Sequence, residues 1–160
     1  MKKIFLILII SLFSFQVQGQ EDNELNEMIT SSIDSFITNE KSLVKQGYSL
    51  NDTCRYYICM DGLPEGFSYK GIQTITFFSL NSIERLPNYL KHKLKKGMRM
   101  LFIGLKISNN QLVISVGGRG VKRLKKGNLS IALSDWCFST YEYSCERKKW
   151  ILVKNRYGGI

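Results

Sequence analysis

The one histidine of this 160-residue chain, His92, stands between two lysines in Lys91-His92-Lys93. An imidazole that acts as a general base needs a carboxylate or carbonyl to orient it and a nucleophile to serve. Flanking cations offer neither, so His92 is expected on a solvated face, and hydrolases built on histidine are not expected. Two carboxylates can cleave a glycoside without histidine, and Asp61, Glu65, Glu84, Asp135, Glu142 and Glu146 are the acids available for it. Only Asp135, in Ser134-Asp135-Trp136 within an otherwise alternating apolar run, hints at a cavity or a bend. A strand bulge or a turn-capping role is the simpler expectation for it. The segment Gly117-Gly118-Arg119-Gly120 could aim backbone N–H groups at an anion, with Arg119 adding charge. It fits neither of the glycine frames that cradle nucleotides, and reads instead as a flexible connection between strands. No catalytic residue, metal or cofactor is therefore expected, and the remaining enzymatic alternative is a hydrolase that uses Asp135 with a carboxylate from a loop.

Four cysteines, Cys54, Cys59, Cys137 and Cys145, are spaced C-x4-C and C-x7-C. Neither spacing is a zinc-ligand pair and no histidine is near, so disulfides, or buried thiols acting as small apolar groups, are expected.

The bases are clustered. Lys91, Lys93, Lys95 and Lys96 precede Arg99, then Arg119, Lys122, Arg123, Lys125 and Lys126 follow, and Arg147 to Lys149 form a third group. If the fold brings these groups to one side they make an anion-binding face. Residues 20–65 carry nine acids and three bases, a charge of −6, whereas residues 66–160 carry four acids and eighteen bases, +14. An acidic helix lying over a basic sheet would account for that asymmetry internally. An anionic envelope component or acidic glycan would account for it externally. Nucleic acid is not an expected partner, because Tyr141 and Tyr143 alternate as ordinary cross-strand residues rather than as stacking platforms.

The elements that must position these residues follow from periodicity. Leu25, Met28, Ile29, Ile33, Phe36, Ile37, Leu43 and Val44 recur at three- and four-residue steps, which predicts a helix from Asp22 to Gln46 stopped by Gly47. Strands are expected over Cys54 to Met60 and Ile72 to Leu80, and a second, basic amphipathic helix over Ser82 to Lys96, with Pro87 in its first turn and Gly97 at its end. Met98 to Ile107 and Gln111 to Val116 should form a hairpin about Ser108-Asn109-Asn110, followed by a long strand over Asn128 to Tyr143 bent near Asp135-Trp136. Trp150 to Tyr157 should pair back onto it. The expected class is α+β: a long N-terminal helix and one inserted helix on a curved antiparallel sheet of four or more strands. In element order this resembles the cystatin-like and NTF2-like folds.

Residues 1–19 have the order of a secretory signal: Lys2 and Lys3, an apolar run from Ile4 to Phe15, then Val17 and Gly19 placed for cleavage before Gln20. The apolar run is well short of the ~20 residues a membrane-crossing helix needs. The lysine-led signal resembles a bacterial one. Residues 20–160 are then expected to form one exported domain, periplasmic or secreted, with 21 Lys and Arg against 13 Asp and Glu, a charge of +8. With no catalytic constellation in view, the expectation is a ligand- or partner-binding module whose pocket lies between the sheet and the first helix. Tyr57, Phe77, Phe102 and Trp136 are its expected lining.

Overall fold

A computed structural model describes residues 23–43 and 56–159. Residues 23–43 form the first helix, α1, and Asn88–Lys96 the second, α2. The strands are β1 (Tyr56–Cys59), β2 (Ile75–Phe78), β3 (Met98–Ser108), β4 (Gln111–Arg123), β5 (Leu129–Ser144) and β6 (Lys149–Gly159). They form one sheet in the order β2-β1-β3-β4-β5-β6. This is the expected α+β class. The sheet, however, is mixed and not antiparallel throughout, because β1 runs parallel to both β2 and β3. Parallel strands in such sheets are buried on both faces. Here Ile58 packs under α1, while Tyr57 and Cys59 pack under α2 on the other side.

The stripe of α1 read from the sequence is its buried face. Ile29, Ile33 and Ile37 are fully buried, and with Met28 and Phe36 they lie on Ile58, Leu101, Ile103, Leu112, Ile114, Val116 and Cys137. Two polar groups in this layer satisfy each other's neighbourhood: Ser32 and Tyr141 hydroxyls both donate to the Met28 carbonyl, at 2.8 and 3.1 Å. Near the start of α1, a Glu24 carboxylate oxygen accepts the Trp150 N–H at 2.6 Å, tying the helix to β6.

The second helix is shorter than its apolar stripe suggests. Leu80–Arg85 winds as 3-10 turns, Leu86 is extended at φ −65, ψ 149, and α-helix begins only after Pro87. The cause is steric: a proline ring disfavours helical backbone in the residue before it. Pro87 therefore caps the helix rather than lying in its first turn. Leu90 and Leu94 fasten α2 to Tyr57, Met100 and Val121, and Gly97 ends it at φ +98.

The hairpin between β3 and β4 turns on Asn109 and Asn110, at φ 52 and 59, closed by the pair Ser108 and Gln111. Two positive φ angles in a two-residue loop match the right-handed twist of the strands. Beyond it β4 does not stop at Val116. It runs through Gly117-Gly118-Arg119-Gly120 to Arg123, so the segment read as a connection is strand interior. Its partner β5 bends where a bend was expected, but one residue earlier. Gly118 faces Asp135 while Arg119 faces Leu133, leaving Ser134 as the extra residue of a β-bulge. The Ser134 hydroxyl donates to the Gly118 carbonyl at 2.9 Å and holds it. A second irregularity, at Val153, interrupts the pairing of β6 with β5.

A nine-residue helix is too short to be stable alone and depends on tertiary packing. Leu94→Ala is therefore expected to lower the free energy of unfolding by about 3 kcal/mol, as read from urea denaturation, with the denaturant slope unchanged.

Candidate functional site

The two faces of the sheet are covered unequally. On the α1 face the core just described fills the middle of the helix–sheet interface, and none of the four residues expected to line a pocket there is in the lining of the hollow beside α1. On the opposite face α2 covers only the end formed by β1 and the starts of β3 and β5 with the end of β4. The rest of that face is open, and it holds a cavity of about 320 Å³ lined by Phe102, Gly104, Ser115, Gly117, Arg119, Leu133, Trp136 and Phe138, among others.

Strand register explains its shape. Phe102 stands opposite Gly117, Gly117 opposite Trp136, and Trp136 opposite Gly158, so one row across four strands alternates ring and glycine. The adjacent row runs Gly104, Ser115, Phe138, Arg156. Side chains on one face alternate with those on the other. The small residues are thus the floor and the rings the walls. Strands lie ~4.8 Å apart, so Phe102 and Trp136 flank Gly117 about 10 Å apart at the backbone. The indole leans outward over Gly158, where an added Cβ would lie only 2.4 Å from Trp136 Cζ2. It stacks at a tilt on Phe138, ring centroids 4.7 Å apart. At the rim, the exposed Arg119 guanidinium lies 4.9 Å from the centroid of Phe102. The result is a slot with aromatic walls, an open mouth and one cation.

Of the expected lining residues, Phe102 and Trp136 are brought together here. Tyr57 is on the same face but sealed beneath α2, where Lys93 Nζ donates to its hydroxyl at 2.7 Å and lies 4.9 Å from its ring centroid. Phe77 packs on the α1 side of the sheet against Phe67 and Tyr69. Leu133, Phe138 and Gly117 had no place in the sequence reading of the site. The Ser134 bulge is the reason: Leu133 and Trp136 are three residues apart, which plain alternation would put on opposite faces, and the extra residue puts both on the same one.

The expected anion-binding residues fall into three places. Around α2, Lys91 donates to the Glu84 carbonyl at 2.6 Å, and Lys95 and Lys96 are exposed. A Cβ on Gly97 would lie 4.0 Å from Lys122 Cβ, so the helix end adjoins the end of β4. There Arg123 is ion-paired with Glu84, and Lys125 is exposed. The side chain of Lys126 lies outside the described residues. Arg119 is on the open face. The third cluster, Arg147 to Lys149, is at the β5–β6 turn, roughly 40 Å along β5 from the first two, so all three do not converge.

Of the two expectations for the cysteines, disulfides or buried thiols, Cys59 and Cys137 follow the second: both are free and buried, Cys145 is free and exposed, and Cys54 lies outside the described residues. Cys59 and Cys137 face opposite sides of the sheet. Burial pushes both thiols above their usual range, which keeps them protonated and unreactive. His92 is exposed, as its lysine neighbours suggest.

Asp135 has an acid beside it, though one from α1 and not from a loop. Arg99 Nη2 donates to both Asp135 oxygens, at 2.8 and 2.7 Å, and contacts Glu40 Oε1. The Arg99 guanidinium also faces the Phe36 ring, 5.7 Å from its centroid. Burial opposes the charge on Arg99, and the hydrogen bonds and charges of Glu40 and then Asp135 outweigh it. One nitrogen shared between two carboxylates cannot neutralise both. Glu40, 4% exposed, is pushed up to about 7, first by burial, against the pull of Arg99 and with Asp135 adding to the rise. The cluster lies between helix and sheet, with Glu40 buried and the Arg99 and Asp135 side chains each 21% exposed.

A larger hollow of about 840 Å³ runs along the outer, polar face of α1, lined by Thr30, Ser31, Asp34, Ser35 and Thr38 with residues of the 68–72 loop. Tyr157 is the one aromatic residue in its lining, which is otherwise mostly polar, and the lysine that lines it, Lys70, is bonded to Asn23 at 3.3 Å. Among the described residues no group of His, Cys, Asp and Glu could hold a metal ion, and no helix is long and apolar enough to cross a membrane. No family model matches the chain, and no curated protein or solved structure matches it either.

Folded Glu40 holds its proton up to about pH 7, whereas in the unfolded chain it ionises near 4.5. Between those values the folded state binds the extra proton, so stability falls as pH rises through the window, by up to roughly 3 kcal/mol. Urea midpoints measured from pH 4.5 to 8 should decline for the wild type, and Glu40→Gln should flatten the decline.

Proposed function

We propose that this chain is an exported, non-enzymatic binding module that takes one small ligand into the slot on its open sheet face. The observation that carries the reading is Gly117. A glycine in a strand interior weakens it by roughly 0.5–1 kcal/mol relative to alanine. Gly117 does not take a positive φ, and an added Cβ would meet only ordinary contacts, 3.8 Å to the Asp135 carbonyl and 4.0 Å to Leu133. The backbone does not need glycine there; the slot does. Pockets of this kind, apolar and aromatic with one placed polar group, are the usual form of small-molecule sites.

Two opposite effects of one substitution test it. Gly117→Val should raise or preserve the unfolding free energy, by up to about 1 kcal/mol, because a β-branched residue suits the strand. The wild type should enhance the fluorescence of the neutral dye N-phenyl-1-naphthylamine, and the same change should abolish that enhancement. Dye binding equal in the two proteins would refute the slot as the site.

A second reading, an adaptor that meets an anionic envelope surface or acidic glycan, is favoured by one juxtaposition: the Lys95 and Lys96 end of α2 lies beside Lys122. It predicts a basic patch at one end of the sheet, separate from Arg147 to Lys149. Export rests on residues 1–19, which lie outside the described residues. The intact mass of protein recovered from its native host should begin at Gln20, and a mass that includes residues 1–19 would refute cleavage. The order of elements, a long helix ahead of a sheet with one helix inserted, supports the cystatin-like or NTF2-like outline, from which the parallel β1 departs.

A further inference from the structure

We infer that the slot is selective for a planar aromatic anion, a fused or substituted ring carrying one carboxylate or similar acid, with Arg119 as the residue that selects the charge. This deepens the binding-module reading and rests on it.

The planarity follows from the walls. A flat ring needs about 3.5 Å to a wall on each side. Phe102 and Trp136, about two strand spacings apart over the bare floor of Gly117, leave space for one such ring once the indole has leaned over Gly158. Stacking on the Trp136 side, with Phe102 and the Arg119 that covers one of its faces on the other, adds to the area buried. The cavity, about 320 Å³, is at the lower end for ligand sites, which suits one or two fused rings and not a large amphiphile.

The charge follows from Arg119. Arg99 is held by Glu40 and Asp135, and Arg123 by Glu84. Arg119 makes no ion pair among the described residues; what holds it is the face of Phe102. Stacking on that ring pre-orders the guanidinium at the rim while leaving its N–H donors free of carboxylates. Its planar fork suits two parallel bonds to a carboxylate. The neighbouring rows add positive charge: Arg156 stands across from Phe138, and Lys106 and Lys154 belong to the row beyond. The nearest acid on that face of β5 is Glu142, which accepts from Gln111 at 2.6 Å. An anion entering the slot meets Arg119 at the rim with Arg156, Lys106 and Lys154 in the rows beyond, ahead of Glu142, and a neutral ring of the same shape gains only the walls.

Calorimetric titration of the protein with three probes tests this: 2-naphthoate, the neutral isostere 2-naphthalenemethanol, and decanoate as an acyl anion of similar size. The expected result is naphthoate about ten-fold tighter than the alcohol, the value of one charge-assisted contact. Arg119→Gln should remove the advantage of naphthoate over the alcohol measured on the same variant, while Gly117→Val should remove binding of both. Equal affinity for naphthoate and alcohol, both lost in Gly117→Val, would overturn the charge selection and leave the slot standing. Decanoate binding as tightly as naphthoate would overturn the planar requirement. A naphthoate advantage that survives Arg119→Gln would overturn the role of Arg119. No binding of any probe, or binding untouched by Gly117→Val, would overturn both the inference and the reading beneath it.

Discussion

A guanidinium carried into the interface between a helix and a sheet has to find its partners there, because leaving a buried charge unpaired costs several kcal/mol. Arg99 finds them from three elements. Asp135 comes from β5, Glu40 from α1, and β4 contributes an absence: a Cβ on Gly118 would sit 2.2 Å from Asp135 and 2.3 Å from Arg99, so only glycine lets the pair close. Asp135 reaches that face because Ser134 bulges out of register beside it. The same bulge sets Leu133 on the face with Trp136. The ion pair on one side of the sheet and the aromatic slot on the other thus share one backbone irregularity, and neither could be arranged independently of it.

That shared origin explains what could be read from the chain and what could not. The burial of Ile29, Ile33 and Ile37, the asparagine hairpin and the final strand pairing follow from local periodicity and turn chemistry, and they are found as expected. Asp135 was conspicuous for the right reason, a bend, but its partners are 95 and 36 residues away in Glu40 and Arg99, contacts that no spacing encodes. Gly117, Gly118 and Gly120 look like punctuation in a sequence because glycine usually is. In the sheet Gly118 is the space that Asp135 and Arg99 fill, and Gly117 is the bare floor of the slot. The parallel pairing of β1 was equally hidden, since a four-residue apolar strand reads the same in either direction.

The electrostatics divide along the same lines. Among the described acids of α1 only Glu40 is ion-paired with a base of the sheet, and Asp34, on the outer face of the helix, is spent on the Tyr69 hydroxyl. Most of the positive charge is left on the open face and at the α2 end. Whatever approaches this domain from solution is sorted by sign before it touches the slot, an effect that acts on encounter rate and fades with salt.

The long outer strand β6 carries a different consequence. An eleven-residue edge with unpaired N–H and C=O groups is a template on which another chain could add a strand. The break in pairing at Val153 twists that edge away from a straight ladder, and Lys149, Lys154 and Arg156 along it repel a second copy of themselves. An irregular, cationic margin of this kind works against the edge-to-edge addition of a second copy, the route by which a smooth edge builds fibres.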